Sequence, residues 1–144
     1  MEKTADNQTS PSHILVVEDD PRVLELYRRV LTDFKDVAYL DHGDKAVEFI
    51  REAESITLAL VDFDLPGASG LEIIKEMKSA FPGADIVVVT GIDEVDNAVE
   101  SIKAGAANYI TKPFDPDRIA AIAAENREKE ELRREFSRLR RRLE

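Results

Sequence analysis

The amino-acid sequence predicts an α/β fold in which helices cover both faces of a parallel β-sheet. Five short, nearly continuous apolar segments alternate along the 144 residues with segments whose apolar side chains have helical spacing. Strands of this kind are typical of parallel sheets that are buried on both sides. The chain is long enough for one packed domain, and 43% of its residues are hydrophobic.

The first two strand–helix units are predicted from apolar runs and a helix start signal. Residues 13–17 (HILVV) indicate a buried strand, and residues 21–34 follow with apolar side chains at helical spacing. Asp20 is followed by proline, which favours a helix start because aspartate caps the first turn and proline fits its first position. A strand over residues 37–40 and a helix over residues 44–53 complete the second unit.

Three further units continue the same alternation. The remaining strands are predicted over residues 58–61, 86–89 and 107–111, and the remaining helices over residues 71–80, 95–104 and from 115 to the end of the chain. The β-branched run IVVV favours a strand, and Gly105 is a typical helix stop. Because crossovers between parallel strands are right-handed, five such units suit the flavodoxin-like, doubly wound strand order 2-1-3-4-5, here with an extended C-terminal helix.

The composition excludes several classes of function. The chain has no cysteine, which rules out disulfides, thiol catalysis and thiolate metal sites and fits a reducing, cytoplasmic location. Its formal net charge of −10 argues against a nucleic-acid-binding body. No apolar run approaches the roughly 20 residues of a membrane span. Residues 1–11 lack the apolar core of a signal peptide and are predicted to form a flexible leader.

Chemically active side chains follow four of the predicted strands. These are Glu18, Asp19 and Asp20 after the first strand, Asp62 after the third, Thr90 after the fourth and Lys112 after the fifth. Because functional sites of open α/β sheets lie beyond the carboxyl ends of the strands, we expect these side chains to converge. Crowded carboxylates repel one another unless a cation joins them, and Mg²⁺ prefers such oxygen ligands. The sequence therefore predicts a site for a phosphoryl group and Mg²⁺, with Asp62 as the nucleophile.

An aspartate pair, Asp62 and Asp64, follows the third strand in a pattern that resembles two unrelated sites. One is the nucleophile loop of haloacid-dehalogenase-type phosphatases, and the other is the phospho-acceptor loop of response-regulator receiver domains. The phosphatases need this pair near the start of the chain and further acids downstream, whereas here the acids come first. A phosphatase stays the alternative enzymatic hypothesis, and a dimerisation module that acts independently of phosphorylation is the alternative binding hypothesis.

Four stretches carry a specific family resemblance. In order and spacing, ILVVEDD, VDFDLPGASGLE, VVVTG and YITKPF resemble the receiver domain of bacterial two-component response regulators, over residues 12–124. The resemblance implies a phospho-acceptor switch that takes its phosphoryl group from a sensor histidine kinase or a phosphotransfer protein. It implies no turnover enzyme, only self-phosphotransfer and slow autodephosphorylation.

The resemblance also implies a role for each acidic residue. Asp62 matches the phospho-acceptor because it lies four residues before the proline of the LPG turn. Asp19 would be a direct Mg²⁺ ligand, Glu18 would act through water, and Asp64 would contribute only its backbone carbonyl. Glu18 departs from the family, in which aspartate is commoner at this position. The Asp64 side chain is interpreted either as a solvated turn residue or as a group that tunes the lifetime of the phosphoryl group.

Three residues in or directly after the fourth and fifth predicted strands complete the implied switch. Thr90 matches the switch hydroxyl and Lys112 the phosphoryl-binding lysine, whose bond to Pro113 resembles one that is usually cis. Tyr109 matches the aromatic residue that moves between outward and inward positions. The surface expected to change is formed by the fourth helix, the fifth strand and the fifth helix.

The C-terminal segment, residues 125–144, is predicted to be a helical linker and short coiled coil. Its apolar residues are spaced four, three and four apart, at Leu132, Phe136, Leu139 and Leu143. We expect a parallel homodimer through this coil, through the surface of the fourth helix, fifth strand and fifth helix, or through both. A solvated, charged helix is the alternative. The segment resembles linkers in activators of the alternative sigma factor, so nucleic acid would be reached only through an additional output domain.

Overall fold

Five strands and five helices alternate along the described part of the chain, as the sequence predicts. The computed structural model describes residues 13–91 and 93–143, so the predicted leader lies outside the described residues. The strands are β1 His13–Val17, β2 Val37–Leu40, β3 Ile56–Asp62, β4 Asp85–Gly91 and β5 Asn108–Lys112. The helices are α1 Pro21–Val30, α2 Gly43–Glu52, α3 Gly70–Ala80, α4 Val95–Ala104 and α5 Pro116–Leu143.

The strands form one parallel sheet in the order β2-β1-β3-β4-β5, which confirms the predicted flavodoxin-like topology. Val17 pairs with Val61, and Asp62 pairs with Val89. Gly91 pairs with Lys112 in turn. The carboxyl ends of β1, β3, β4 and β5 are therefore level, and the residues that follow or end these strands share one edge of the sheet.

Two apolar layers cover the two faces of the sheet. On one face, residues such as Leu15 and Val61 pack against α2 and α3, and on the other face residues such as Val16 and Leu60 pack against α1 and α5. The central strand β3 contributes to both layers, and its residues from Leu58 to Val61 are fully buried. Burial on both sides explains why this strand is a continuous apolar run and not an alternating pattern.

The largest difference from the predicted boundaries is in α1, which ends at Val30 and not at residue 34. Leu31 leaves the helical region with φ −99° and ψ 22°, and its N–H donates to the carbonyl of Tyr27. The Phe34 N–H then donates to the Leu31 carbonyl at 3.0 Å, which forms a turn. Phe34 still packs on the apolar layer beside α1. The helical spacing therefore predicted correctly that Phe34 faces the core, but its prediction of a helix at this residue was wrong.

A polar cluster fixes the middle of α5 to the sheet. The buried Asn126 side chain donates to the Thr57 carbonyl at 2.9 Å and to Asp85 Oδ2 at 3.0 Å, and it accepts from the Thr57 hydroxyl at 3.0 Å. Lys129 Nζ adds an ion pair to the same Asp85 oxygen at 2.7 Å. These contacts are at the amino ends of β3 and β4, opposite the predicted site.

Beyond this cluster α5 continues as a single helix to Leu143, and every residue from 131 to 143 is exposed. Within the described part of the chain, no helix has the combination of length and apolar character that crossing a bilayer requires.

Candidate functional site

An ion triad of Glu18, Asp62 and Lys112 lies at the carboxyl edge of the sheet. Lys112 Nζ is 2.9 Å from Glu18 Oε1 and 3.1 Å from Asp62 Oδ2. Glu18 is fully buried and Asp62 is 6% exposed. Because Glu18 follows β1, Asp62 ends β3 and Lys112 ends β5, one ammonium group joins residues that are far apart in sequence. The structure thus brings together three of the predicted site residues.

The electrostatics of the triad favour additional positive charge. Burial raises the pKa of Asp62 to about 6, and the charge of Glu18 adds to this rise, whereas Lys112 and a hydrogen bond from the Asp64 N–H oppose it. Burial lowers the pKa of Lys112, but its contacts with Glu18 and Asp62 outweigh burial and raise it overall. One lysine does not neutralise the carboxylates around it, so a cation would be bound favourably here.

The acid cluster has the composition of a Mg²⁺ site. Glu18, Asp19 and Asp62 each offer one carboxylate oxygen, and these oxygens lie within 4.8 Å of one another. Asp19 is exposed, so a partly hydrated ion could approach from solvent. Among the described residues, Glu18 Oε1 is buried and has no hydrogen bond of good geometry besides its ion pair with Lys112. This donor set fits a hard divalent cation.

The loop after β3 holds the Asp62 carboxylate in place. Asp62 Oδ1 accepts a hydrogen bond from the Asp64 N–H at 3.2 Å. The Phe63 N–H donates to the Val89 carbonyl at 2.9 Å, and the Gly70 N–H donates to the Phe63 carbonyl at 3.0 Å. A Cβ atom on Gly70 would lie 2.8 Å from the Asp62 carbonyl oxygen, so glycine is required for this close approach. The Asp64 side chain is exposed, and the role of its carbonyl stays a prediction.

Thr90 lies near the carboxyl end of β4, and Tyr109 lies on the neighbouring strand β5. Thr90 is 2% exposed, and its hydroxyl donates to Glu94 Oε1 at 3.1 Å. Tyr109 is 43% exposed, and its role as the moving aromatic residue stays a prediction. In the strand register, Tyr109 lies opposite Val88 and Thr90 lies opposite Thr111.

Two expectations about neighbouring residues agree with the structure. Asp20 caps α1 by accepting from the Arg22 N–H at 2.9 Å, and it is not one of the three clustered acids. The Lys112-Pro113 peptide bond is cis, as the family resemblance implies.

Two contacts of the site were not predicted from the sequence. Glu94 bonds to the Thr90 hydroxyl, and its position four residues after Thr90 and directly before α4 is a usable signal for this contact. Glu18, for which only a water-mediated metal role was predicted, also pairs directly with Lys112. Nothing in local spacing connects residues 18 and 112, because their contact is created by the strand order.

The family profile and the curated relatives that match this chain indicate the same family. The sequence profile of the response regulator receiver domain matches residues 14–124. The transcriptional regulatory protein MalR of Bacillus subtilis (strain 168) is 30% identical over 123 residues, which are 83% of this chain and 52% of MalR. The alginate biosynthesis transcriptional regulatory protein AlgB of Pseudomonas putida is 30% identical over 132 residues, which are 92% of this chain and 29% of AlgB. This chain thus spans about half, or less, of the length of these curated relatives.

A solved structure shows the same architecture. The response regulator receiver domain protein (CheY-like) from Methanospirillum hungatei JF-1 superposes with a TM-score of 0.73 at 32% identity, covering 85% of this chain and 98% of that one. Because the superposition covers nearly all of that solved chain, the two chains share the whole five-stranded fold.

Replacing Asp62 by asparagine is expected to stabilise the metal-free protein at neutral pH. The pKa of Asp62 in the folded state, about 6, is above its ordinary value of 3.8, so the folded protein binds this proton more tightly than the unfolded chain does. Protonation of Asp62 therefore stabilises the fold fully below about pH 4, and this stabilisation is lost as pH rises through 6. Asparagine does not titrate, and the difference in free energy of unfolding between Asp62→Asn and the unchanged protein should grow to about 2–3 kcal/mol by pH 7.

Urea unfolding in EDTA between pH 4 and pH 8 measures this difference. A difference that stays constant across the range would contradict the assignment of Asp62 to a buried, repulsive carboxylate pair.

Proposed function

The chain belongs to the response regulator receiver domain family, and on this premise we propose that Asp62 is the residue at which it accepts a phosphoryl group. As a receiver domain the chain is a phospho-acceptor signalling module and not a turnover enzyme. The observation that carries the proposal is the Lys112 ammonium group, which lies 3.1 Å from Asp62 Oδ2 beside the acid cluster. A carboxylate held against a fixed cation, next to a metal-binding cluster, is suited to take up a phosphoryl group.

The proposed donor is a phosphohistidine of a sensor histidine kinase or a phosphotransfer protein. A carboxylate oxygen of Asp62 attacks the phosphorus atom, the new P–O bond forms, and the P–N bond breaks with its electron pair going to the imidazole of the donor. Lys112 neutralises charge on the phosphoryl oxygens, and the Asp64 N–H keeps Asp62 oriented. The transfer as written requires no proton transfer by a residue of this chain.

Mg²⁺ is the proposed cofactor. Asp19 and Asp62 would hold it directly, Glu18 through water, and Asp64 through its backbone carbonyl. When bound, it supplies Lewis-acid neutralisation of the phosphoryl and carboxylate oxygens. Buried Glu18 and nearly buried Asp62 support this proposal because their mutual repulsion is relieved by a second cation beside Lys112.

The proposed output is a change in the surface formed by α4, β5 and α5. This surface already exposes apolar side chains, among them Val95, Val99, Ile102 and Tyr109. In the proposed switch, the Thr90 hydroxyl turns to the new phosphoryl oxygens and Tyr109 moves inward behind it. A tenfold shift of population towards this state requires that the phosphoryl group favour it by about 1.4 kcal/mol.

Treatment with acetyl phosphate and Mg²⁺ is expected to add one phosphoryl mass to the intact protein. Asp62→Asn should abolish the addition because it removes the nucleophile, whereas the matched variant Asp64→Asn should still be labelled. Intact-protein mass spectrometry measures both. Equal labelling of Asp62→Asn and the unchanged protein would refute the proposed acceptor.

The same samples test the proposed role of the Asp64 side chain in the lifetime of the phosphoryl group. After removal of the donor, Asp64→Asn should lose its label at a rate that differs from that of the unchanged protein. Identical rates would leave Asp64 as a solvated turn residue.

The exposed end of α5 supports a second copy of this chain as a partner. Its apolar stripe consists of Leu132, Phe136, Leu139 and Leu143, all exposed. Upstream of the stripe, Asn126 fixes the helix to the sheet, so the stripe projects from a rigid base. A helix of this length with a one-sided apolar seam is marginal in water by itself and is stabilised by pairing. We therefore propose a parallel homodimer through residues 125–144.

Sedimentation velocity is expected to show a dimer that Leu139→Lys dissociates, because a charge is placed in the apolar seam. Ser137→Lys, on the outer face of the same helix, is the matched control and should leave the dimer intact. Runs with and without beryllofluoride and Mg²⁺ decide whether pairing depends on the phosphoryl-bound state. A monomer at all concentrations, or equal effects of both substitutions, would argue for a solvated helix.

A further inference from the structure

We propose that Glu94 is a positioning residue that holds the Thr90 hydroxyl away from the acceptor carboxylate until a phosphoryl group is bound. This inference rests on the proposed function of Asp62. The Thr90 hydroxyl has a single proton, and it is donated to Glu94 Oε1 at 3.1 Å. While this bond exists, Thr90 cannot donate to a phosphoryl oxygen. The bond is charge-assisted and therefore stronger than one to a neutral acceptor.

The position of the Glu94 side chain is not explained by helix capping. Glu94 occupies the N-cap of α4, where a side chain normally accepts from the first-turn N–H groups, but it makes no such bond in the described structure. Instead its Oε1 also accepts the Gly91 N–H at 3.0 Å. The Glu94 N–H in turn donates to the Gly91 carbonyl at 3.1 Å, so the two residues are bonded reciprocally. The carboxylate is thereby directed at the end of β4.

Glycine at position 91 allows the carboxylate to approach this closely. A Cβ atom on Gly91 would lie 2.9 Å from Glu94 Oε1 and 3.4 Å from its Cδ. Gly91 is not among the residues with positive φ, so alanine can adopt the same backbone conformation. Gly91→Ala would therefore displace the carboxylate of Glu94 while keeping its charge and leaving Thr90 unchanged.

A phosphoryl group acts on both partners of this bond. Its oxygens are strong acceptors that compete for the Thr90 proton, and its negative charge repels the Glu94 carboxylate. Switching therefore requires the free energy of breaking the hydrogen bond from Thr90 to Glu94, and the interactions of the phosphoryl group must offset it. Weakening the bond should favour the switched state.

The test is the apparent affinity for beryllofluoride at fixed Mg²⁺, followed by NMR signals of Thr90 and Tyr109 in the full chain. Glu94→Ala should bind beryllofluoride about tenfold more tightly, because no acceptor holds the Thr90 proton. Gly91→Ala should give an increase of the same sign. Glu94→Gln retains an acceptor oxygen without the charge and should give a smaller increase than Glu94→Ala.

A double-mutant cycle separates this role from a general effect of charge. In the Thr90→Val background the hydroxyl is absent, so Glu94→Ala should lose most of its effect on affinity. In the unliganded Glu94→Ala protein, the Tyr109 ring signals should also shift towards their beryllofluoride-bound positions. An equal effect of Glu94→Ala in both backgrounds, or equal effects of alanine and glutamine, would overturn the inference.

The outcome also distinguishes this inference from the function on which it rests. If the unchanged protein binds beryllofluoride, Asp62→Asn does not, and Glu94→Ala equals the unchanged protein, only the role of Glu94 fails. If Asp62→Asn and the unchanged protein respond identically, the proposed acceptor fails and the inference fails with it.

Discussion

The contact of Lys112 with two buried carboxylates is the constraint on which the site depends. Removing Glu18 and Asp62 from water is costly, and one ammonium group at 2.9 and 3.1 Å offsets only part of that cost. Burial, and after it the charge of Glu18, raises the pKa of Asp62. The repulsion between the two carboxylates that Lys112 does not cancel favours binding of a second cation. Glu18 follows β1, and Asp62 and Lys112 end β3 and β5, so the contact depends on the doubly wound order of the sheet. The strand order is thus what brings the Lys112 ammonium group into contact with both carboxylates.

Opposite ends of the same two strands carry the site and the anchor of the C-terminal helix. At their carboxyl ends β3 and β4 contribute Asp62 and Thr90, and at their amino ends Thr57 and Asp85 bind Asn126. The extended helix is therefore fixed to β3, which carries the proposed acceptor Asp62, and to β4, which carries Thr90. Spatial continuity alone does not transmit a signal; a two-state element that both sites bias is required. We propose the bond from Thr90 to Glu94 as part of such an element at the site.

Sequence reasoning predicted the topology and the convergence of Glu18, Asp19, Asp62 and Lys112, because strand order places residues at the carboxyl ends of strands side by side. Apolar runs located all five strands, but they ended β3 and β4 too early, since backbone pairing continues through Asp62 and Thr90 after the apolar side chains stop. Helical spacing extended α1 too far, because Phe34 packs inward from a turn. The ion pair of Glu18 with Lys112 depends on side-chain positions that no periodicity encodes, whereas the four-residue spacing of Thr90 and Glu94 is a usable signal for their bond.

The central claim is that Glu18, Asp19 and Asp62 surround one divalent cation next to Lys112. Anomalous diffraction from crystals soaked in Mn²⁺, a stand-in for Mg²⁺, tests it most directly. The account predicts one strong peak within about 2.0–2.4 Å of carboxylate oxygens of Asp19 and Asp62, with Lys112 Nζ still in contact with Asp62. A peak bound elsewhere, or a crystal in which Lys112 has left Asp62 and the acid cluster binds no ion, would contradict it.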